Sequence, residues 1–203
     1  MEPVFTAHYG RNADLISEAT RLYVKAGARV ADVTYGKGMF WRKVDTSRFE
    51  FVPSDLFTVP SASFDFAKLP YKSDSFDVLV FDPPYMGGGP PSTEHAIERY
   101  GCATLKRPTR NYHEAIVDLY RAGIVEAARV VKAGGTIWVK CQDEVSSGRP
   151  RWTHIEVLRE GEKVGLIATD LFVLVASAKP ILRHSRQLHA RKNHSYLWVF
   201  AKR

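Results

Sequence analysis

Residues 28–41, ARVADVTYGKGMFW, decide the fold. ARVADVT (28–34) reads as a short buried strand, with Gly36 and Gly38 just beyond it and a short helical piece after them. Glycine at such a place lets the backbone turn sharply and come close to a ligand. Asp32 falls near the strand end, on the carboxyl edge where open parallel sheets bind ligands. The third glycine of a dinucleotide fingerprint is absent, because GKG runs on into MFW, and no Gly-Lys-Ser/Thr follows to make a phosphate loop. A lone G-x-G marks many turns, so its meaning depends on its surroundings.

Working outward, residues 12–26 place Leu15, Ile16, Ala19, Leu22 and Tyr23 on one helical face. Asn12 or Asp14 is the expected N-cap and Gly27 the terminator. Downstream, FEFVPSD (49–55) and FDVLVFD (76–82) are strands. Residues 113–132 have helical spacing, Gly134-Gly135 are expected to end that helix, and TIWVKC (136–141) to follow as a strand. A helix over 151–164 and strands over 166–176 and 195–201 complete the chain. Six or seven strands alternating with helices are the pattern of an α/β protein. No linker or repeat interrupts it, so one domain, 1–203, is expected, with no separate target-recognition domain.

Composition agrees: 203 residues, 45% hydrophobic and 25% charged, are the proportions of an ordinary soluble globular chain. No apolar run approaches the roughly 20 residues of a membrane span, and the N-terminus lacks a basic-then-apolar signal pattern. No membrane partner is expected, and Cys102 and Cys141 read as reduced thiols of a cytoplasmic protein. Histidines, cysteines and acids show no ligand spacing, so no metal is expected. The net charge of +7 is concentrated. Lys179, Arg183, Arg186, Arg191 and Lys192 lie in 177–194 without an acid, and Lys106, Arg107 and Arg110 lie in 105–111. A nearly neutral body with two basic loops suits a polyanion-binding protein, and 86–112 and 177–194 are the expected nucleic-acid-binding loops.

Further acids come at successive strand ends. Asp55 closes the second strand, 19 residues after Gly36, where a carboxylate accepts ribose hydroxyls. Asp65 precedes the third and is placed to accept from an adenine amino group, with Phe66 packing on the ring. The third strand ends in Asp82-Pro83-Pro84-Tyr85, followed by Gly87, Gly88 and Gly89. Two prolines fix φ and remove two backbone donors, which leaves the Pro83 carbonyl rigidly oriented. That carbonyl and the Asp82 carboxylate are suited to accept both hydrogens of one planar NH2. Holding both N–H bonds pushes the nitrogen toward tetrahedral geometry and frees its lone pair for attack. Tyr85 is positioned to stack on the ring.

Through DVTYGKG and DPPY the chain resembles the class I S-adenosylmethionine-dependent DNA amino-methyltransferases, which modify adenine-N6 or cytosine-N4. DFAKLPYKSDSFDVLVFDPPY, RVVKAGGTIWVK and HARKNHSYLWVF carry the likeness over roughly residues 28–201. The resemblance implies a Rossmann-like class I methyltransferase fold. Its seven-stranded, mostly parallel sheet would have an antiparallel terminal strand and helices on both faces. It implies S-adenosyl-L-methionine as cofactor, with Asp32, Tyr35, Gly36 and Gly38 along its methionine and ribose side. Asp55 would bind the ribose, Asp65 and Phe66 the adenine, and Tyr9, Arg11 and Asn12 the cofactor carboxylate. Asp82, Pro83, Pro84 and Tyr85 would be catalytic, with methyl passing in line from sulfur to adenine-N6 in DNA. Val33-Thr34 and Lys37 depart from the family's usual cofactor loop. RNA guanine-N2, a protein glutamine amide, and a silent nucleic-acid-binding subunit are the alternatives.

Overall fold

A continuous apolar run in one central strand organises the molecule. The computed structural model describes residues 2–83, 112–177 and 187–203. In it Phe76–Phe81 forms strand β4 of a seven-stranded sheet. Val78 and Val80 point to one face and Leu79 and Phe81 to the other, and all four are buried. A strand that is apolar on both sides is stable only between two layers. Helix α1 (Asn12–Tyr23) supplies one layer through Leu15, Ile16 and Ala19. Helices α2 (Tyr112–Val130) and α3 (Thr153–Lys163) cover the other face, with Ile116, Tyr120, Ile124 and Val157 against Leu79 and Phe81.

The remaining strands are β1 (Ala7–Gly10), β2 (Arg29–Asp32), β3 (Glu50–Pro53), β5 (Val131–Cys141), β8 (Ile167–Ala176) and β9 (His194–Ala201). A separate two-stranded hairpin joins β6 (Glu144–Ser146) to β7 (Arg149–Arg151). The large sheet runs β1-β8-β9-β5-β4-β2-β3. Every pairing is parallel except the two made by β9, the last strand in sequence, which lies antiparallel between β5 and β8. From β2 the chain passes to β3 on one side, and from β4 to β5 on the other. The order therefore reverses between β2 and β4, and outside the carboxyl ends at such a reversal open α/β sheets hold ligands. Among the described residues no helix is long and apolar enough to cross a membrane.

Three expectations are corrected. The strand β1 and the hairpin β6–β7 lie where none was foreseen. Helix α2 stops at Val130, and Val131 already pairs with Phe76, so Gly134 and Gly135 sit inside β5 at its register shift rather than ending the helix. Arg11, not Asn12 or Asp14, takes the cap position of α1, with the Asp14 carboxylate accepting the Arg11 N–H at 2.9 Å; the helix ends at Tyr23, short of Gly27.

At one point in the α2 layer the packing leaves no space. A Cβ built on Gly123 of α2 would collide with the edge of the Phe81 ring, at its Cζ. Gly123→Ala is therefore expected to lose about 1–3 kcal/mol through overpacking, more than the gain in helix propensity returns. Thermal unfolding would show a melting point lower by several degrees, and an unchanged or raised one would contradict this packing.

Candidate active site

Past Asp32 the ladder ends and the glycine loop begins. Thr34 donates its N–H to Asp32 Oδ1 at 3.0 Å, and Tyr35 donates to the Ser54 carbonyl at 3.1 Å. Gly36 has φ +55° and donates its N–H to Asp55 Oδ2 at 3.0 Å, and a Cβ there would meet only open space and the Thr34 carbonyl at 3.9 Å. Gly38, at φ +66°, starts the short turn Met39–Trp41, and a Cβ on it would collide with the Tyr35 ring. Both glycines are thus required by backbone geometry, and the Gly36 side of the loop is open to a ligand.

Three acids from three strand ends meet here. Asp32 is buried, with Trp41 Nε1 donating to its Oδ2 at 2.6 Å. Burial pushes its carboxyl up to about 7, the Trp41 and Thr34 hydrogen bonds oppose this, and the nearby Asp82 and Asp55 carboxylates add to it. Asp55 is buried and accepts three backbone N–H groups, from Gly36 at 3.0 Å and from Phe57 and Thr58 at 2.9 Å each. A carboxylate has about four acceptor sites, so one remains on Oδ2 for a ligand hydroxyl. Asp82 donates its N–H to Thr34 Oγ1 at 2.7 Å, while its Oδ1 is sealed from solvent and has no hydrogen-bond partner among the described residues. Burial pushes Asp82 up to about 6 against the pull of Lys140.

Lys140 is a residue that sequence reasoning missed. It lies on β5, where the register Phe81↔Val139 places it beside Asp82, and it is fully buried with Nζ donating to Ser195 Oγ at 2.5 Å. Burial holds its pKa below the usual lysine range although Asp82 raises it. A cation inside the apolar run TIWVKC was the available signal. Thr34 and Trp41 were missed because their partners come from other parts of the chain.

The other candidates are more dispersed. Asp65 is partly exposed, with Oδ1 accepting the Ala67 N–H at 2.8 Å, and the Phe66 ring lies edge-on to Phe81 at 4.9 Å. Tyr35 does not line the open side of the loop, for its ring packs over Gly38 and toward Phe51 at 5.9 Å. Tyr9 is exposed on β1, which four strands separate from β2, so it is not brought to the acids. Arg11 and Asn12 open α1, whose first turn is tied to the far side of the loop by the 2.5 Å ion pair of Asp14 with Lys43. Asn12 Oδ1 is buried there without a partner among the described residues. Pro83 is buried directly after Asp82. Pro84, Tyr85, Lys106, Arg107, Arg110, Lys179, Arg183 and Arg186 lie outside the described residues, as does Cys102. Arg191 is half-buried, and the Lys192 ammonium sits 4.5 Å from the centre of the Trp152 ring.

No protein-family model and no curated protein matches the sequence. Solved structures do. A S-adenosylmethionine-dependent methyltransferase from Methanosarcina mazei is 10% identical, with TM-score 0.54, over 91% of this chain and 96% of that one. A TehB-like S-adenosylmethionine-dependent methyltransferase from Corynebacterium glutamicum is 16% identical, with TM-score 0.52, over 95% and 88%. The PvuII DNA methyltransferase, cytosine-N4-specific, is 17% identical, with TM-score 0.50, over 69% and 48%. Against three structures of a DNA modification methylase from Thermus thermophilus the chain spans only about half the other protein's length, at TM-scores of 0.43 to 0.45. At these identities the likeness concerns architecture: the chain has the Rossmann-like fold of class I methyltransferases.

The acids also fix a sign for stability against pH. Asp32 keeps its proton to about pH 7, whereas its ordinary value is 3.8. Between these values the folded chain binds more protons than the unfolded one, so the Asp32 contribution to stability falls as pH rises from about 4 to about 7. In Asp32→Asn that loss is absent. Its melting point relative to the wild type is expected to climb across this window in thermal unfolding, and a difference that stays flat with pH would contradict the assignment.

Proposed function

We propose that this chain is an S-adenosylmethionine-dependent methyltransferase acting on the exocyclic amine of a nucleobase, adenine-N6 in DNA. The observation that carries the reading is the buried Oδ1 of Asp82, without a partner among the described residues, at the strand end where the sheet order reverses and followed at once by two prolines. A buried acceptor without a donor costs free energy unless a ligand supplies the donor. An NH2 group does so, with its second hydrogen going to the Pro83 carbonyl.

The residues present suit the cofactor. Burial chiefly, with the nearby Asp82 and Asp55 carboxylates adding to it, disfavours the ionised form of Asp32, and a cation bound beside it relieves this. Gly36 leaves its side of the loop open, and Asp55 Oδ2 retains an acceptor site for a hydroxyl. Arg11 and Asn12 stand at the helix start for a carboxylate and an ammonium, and Asp65 with Phe66 beyond β3 for the adenine. S-adenosylmethionine, when bound, supplies a methyl group already activated by its sulfonium, so no enzyme nucleophile is needed.

What the chain contributes is position and proton handling. Asp82 and Pro83 hold the amine with its lone pair freed and aimed. The Thr34 hydroxyl fixes the Asp82 backbone at 2.7 Å, so the carboxylate is tied to the loop that lines the cofactor. Once the nitrogen carries its new methyl group it must lose a proton, and the Asp82 carboxylate, with a pKa near 6, is the adjacent acceptor. Lys140 behind it keeps that carboxylate ionised near neutral pH. The extruded base requires a nucleic acid held along the same edge, and the basic segments 105–111 and 177–194, with Arg191 and Lys192, supply the charge.

The test offers the chain methyl-labelled S-adenosylmethionine with duplex DNA, structured RNA or protein extract, with nucleoside and amino-acid analysis of the product. Label in N6-methyladenine of DNA is expected. Label in RNA or protein would replace the substrate, and none anywhere would overturn the reading. Asp82→Ala is expected to lose about 10²–10⁴ in turnover with cofactor binding retained. Wild-type turnover should rise with pH through about 6 as Asp82 ionises, and Lys140→Met should move that rise upward.

A further inference from the structure

The hairpin β6–β7 lies next to the candidate site and has no part in it. It leaves β5 directly after Cys141, so it projects from the same carboxyl edge as Asp82. Its tip is the two-residue turn Ser147-Gly148, both at positive φ, the geometry of a tight hairpin. Its acids are engaged inward. Glu144 accepts from His113 Nδ1 at 2.8 Å, and His113 Nε2 donates to Glu156 of α3 at 2.6 Å, which pins the hairpin to both helices. Asp143, just before it, is buried against His154 at 2.7 Å. On the face that carries Glu144, Arg149 is exposed near the tip, while Arg151, paired with Glu144, is half-exposed with its Nε buried.

Beside the hairpin lies the segment 187–192. His189 Nε2 donates to the Gly148 carbonyl at 3.1 Å, and Gln142 Nε2 donates to the Lys192 carbonyl at 3.4 Å. Lys192 projects over Trp152, the residue after the hairpin, and Trp152 is 49% exposed. An indole left half in water, with the Lys192 ammonium over it and Arg149, Arg151 and Arg191 in the two segments beside it, joins an aromatic face to positive charge. Flexible polyanions with flat, stackable bases are the chemistry that matches both features. The tight turn and the buried His113 ion pairs make the platform rigid, so little ordering is lost on binding.

We propose that the hairpin, Trp152 and the 187–192 segment form a nucleic-acid platform. Trp152 stacks on a base flanking the extruded target, and Arg149, Arg151, Arg191 and Lys192 hold the neighbouring phosphates. This rests on reading the site as one that modifies a nucleobase. It gives the chain a way to grip its substrate built from the class I fold itself.

The test uses the full chain and fluorescently labelled single-stranded and duplex DNA, read by anisotropy over a series of salt concentrations. Trp152→Ala is expected to weaken binding about ten-fold, with Trp152→Phe restoring most of it, as stacking requires. Arg149→Glu with Arg151→Glu is expected to reduce the slope of log affinity against log salt by about 2. In turnover assays these variants should raise KM for DNA far more than they lower kcat. Unchanged affinity and salt slope in variants that melt like the wild type, with the wild type active on DNA, would overturn the platform alone. A wild type that binds no nucleic acid would overturn the platform and the function together. Loss of a self-associated species on sizing, with DNA affinity intact, would show the surface to be a contact with a second copy and would also overturn the proposal.

Discussion

The hydrogen bond from the Asp82 N–H to the Thr34 hydroxyl, 2.7 Å long, holds the candidate site together. Backbone bonding from β2 to β4 ends with the Val33 N–H on the Val80 carbonyl, one residue past Asp32, and does not reach Asp82. The threonine side chain extends the contact one step past the sheet and joins the glycine loop to the DPPY exit. On the other flank, Asp55 does the same with its carboxylate, which gathers the Gly36 N–H and two N–H groups of its own turn. The loop is thus clamped from both neighbouring strands before any ligand arrives, which is what a site acting by position needs.

Three acids at one edge would be redundant if they had one task, but their surroundings separate them. Asp55 is nearly saturated with donors and works as a clamp that keeps one acceptor site to spare. Asp32 accepts from Thr34 and Trp41 and is pushed up to about 7, because burial outweighs the hydrogen bonds that oppose it. Asp82 has an oxygen with no partner among the described residues and a buried cation behind it. Removing one member of a buried charge pair leaves the other uncompensated, so Lys140 and Asp82 sustain each other in the sheet interior. Of the three, Asp82 is the one with an oxygen that no donor among the described residues reaches.

The architecture was legible wherever a segment was apolar on a regular period. The strands around Val30, Val78–Val80 and Ile137–Val139, and the helices over Leu15–Ala19 and Ile116–Ala127, fall where their patterns place them. β1 was not legible, because AHYG is an edge strand of four residues with none buried. The hairpin was not, because its two three-residue strands pair only with each other. For the site, the acids could be read from their places at strand ends, since that depends on chain order alone. The roles of Thr34, Trp41 and Lys140 depend on cross-strand partners, which spacing does not encode. Aromatic neighbours of a motif were the least readable: Tyr35 turns toward Phe51 and Phe66 rests edge-on to Phe81, and both orientations result from core packing.

Lys140 also has a second reactive neighbour, and the contrast bears on the chemistry available at this edge. Cys141 comes next in the chain, and its thiol feels the same ammonium, which favours the thiolate. Burial nevertheless pushes the thiol well above its ordinary value, because Cys141 is fully enclosed between the sheet and the α2 layer. The same cation thus leaves Asp82 ionised near neutral pH and Cys141 protonated, since a carboxylic acid starts some five pKa units lower than a thiol. A covalent route through this cysteine would need both deprotonation and access, and its place in the core denies both. The edge offers acceptors for hydrogen bonds and a proton, which is what the proposed direct displacement at an amine demands.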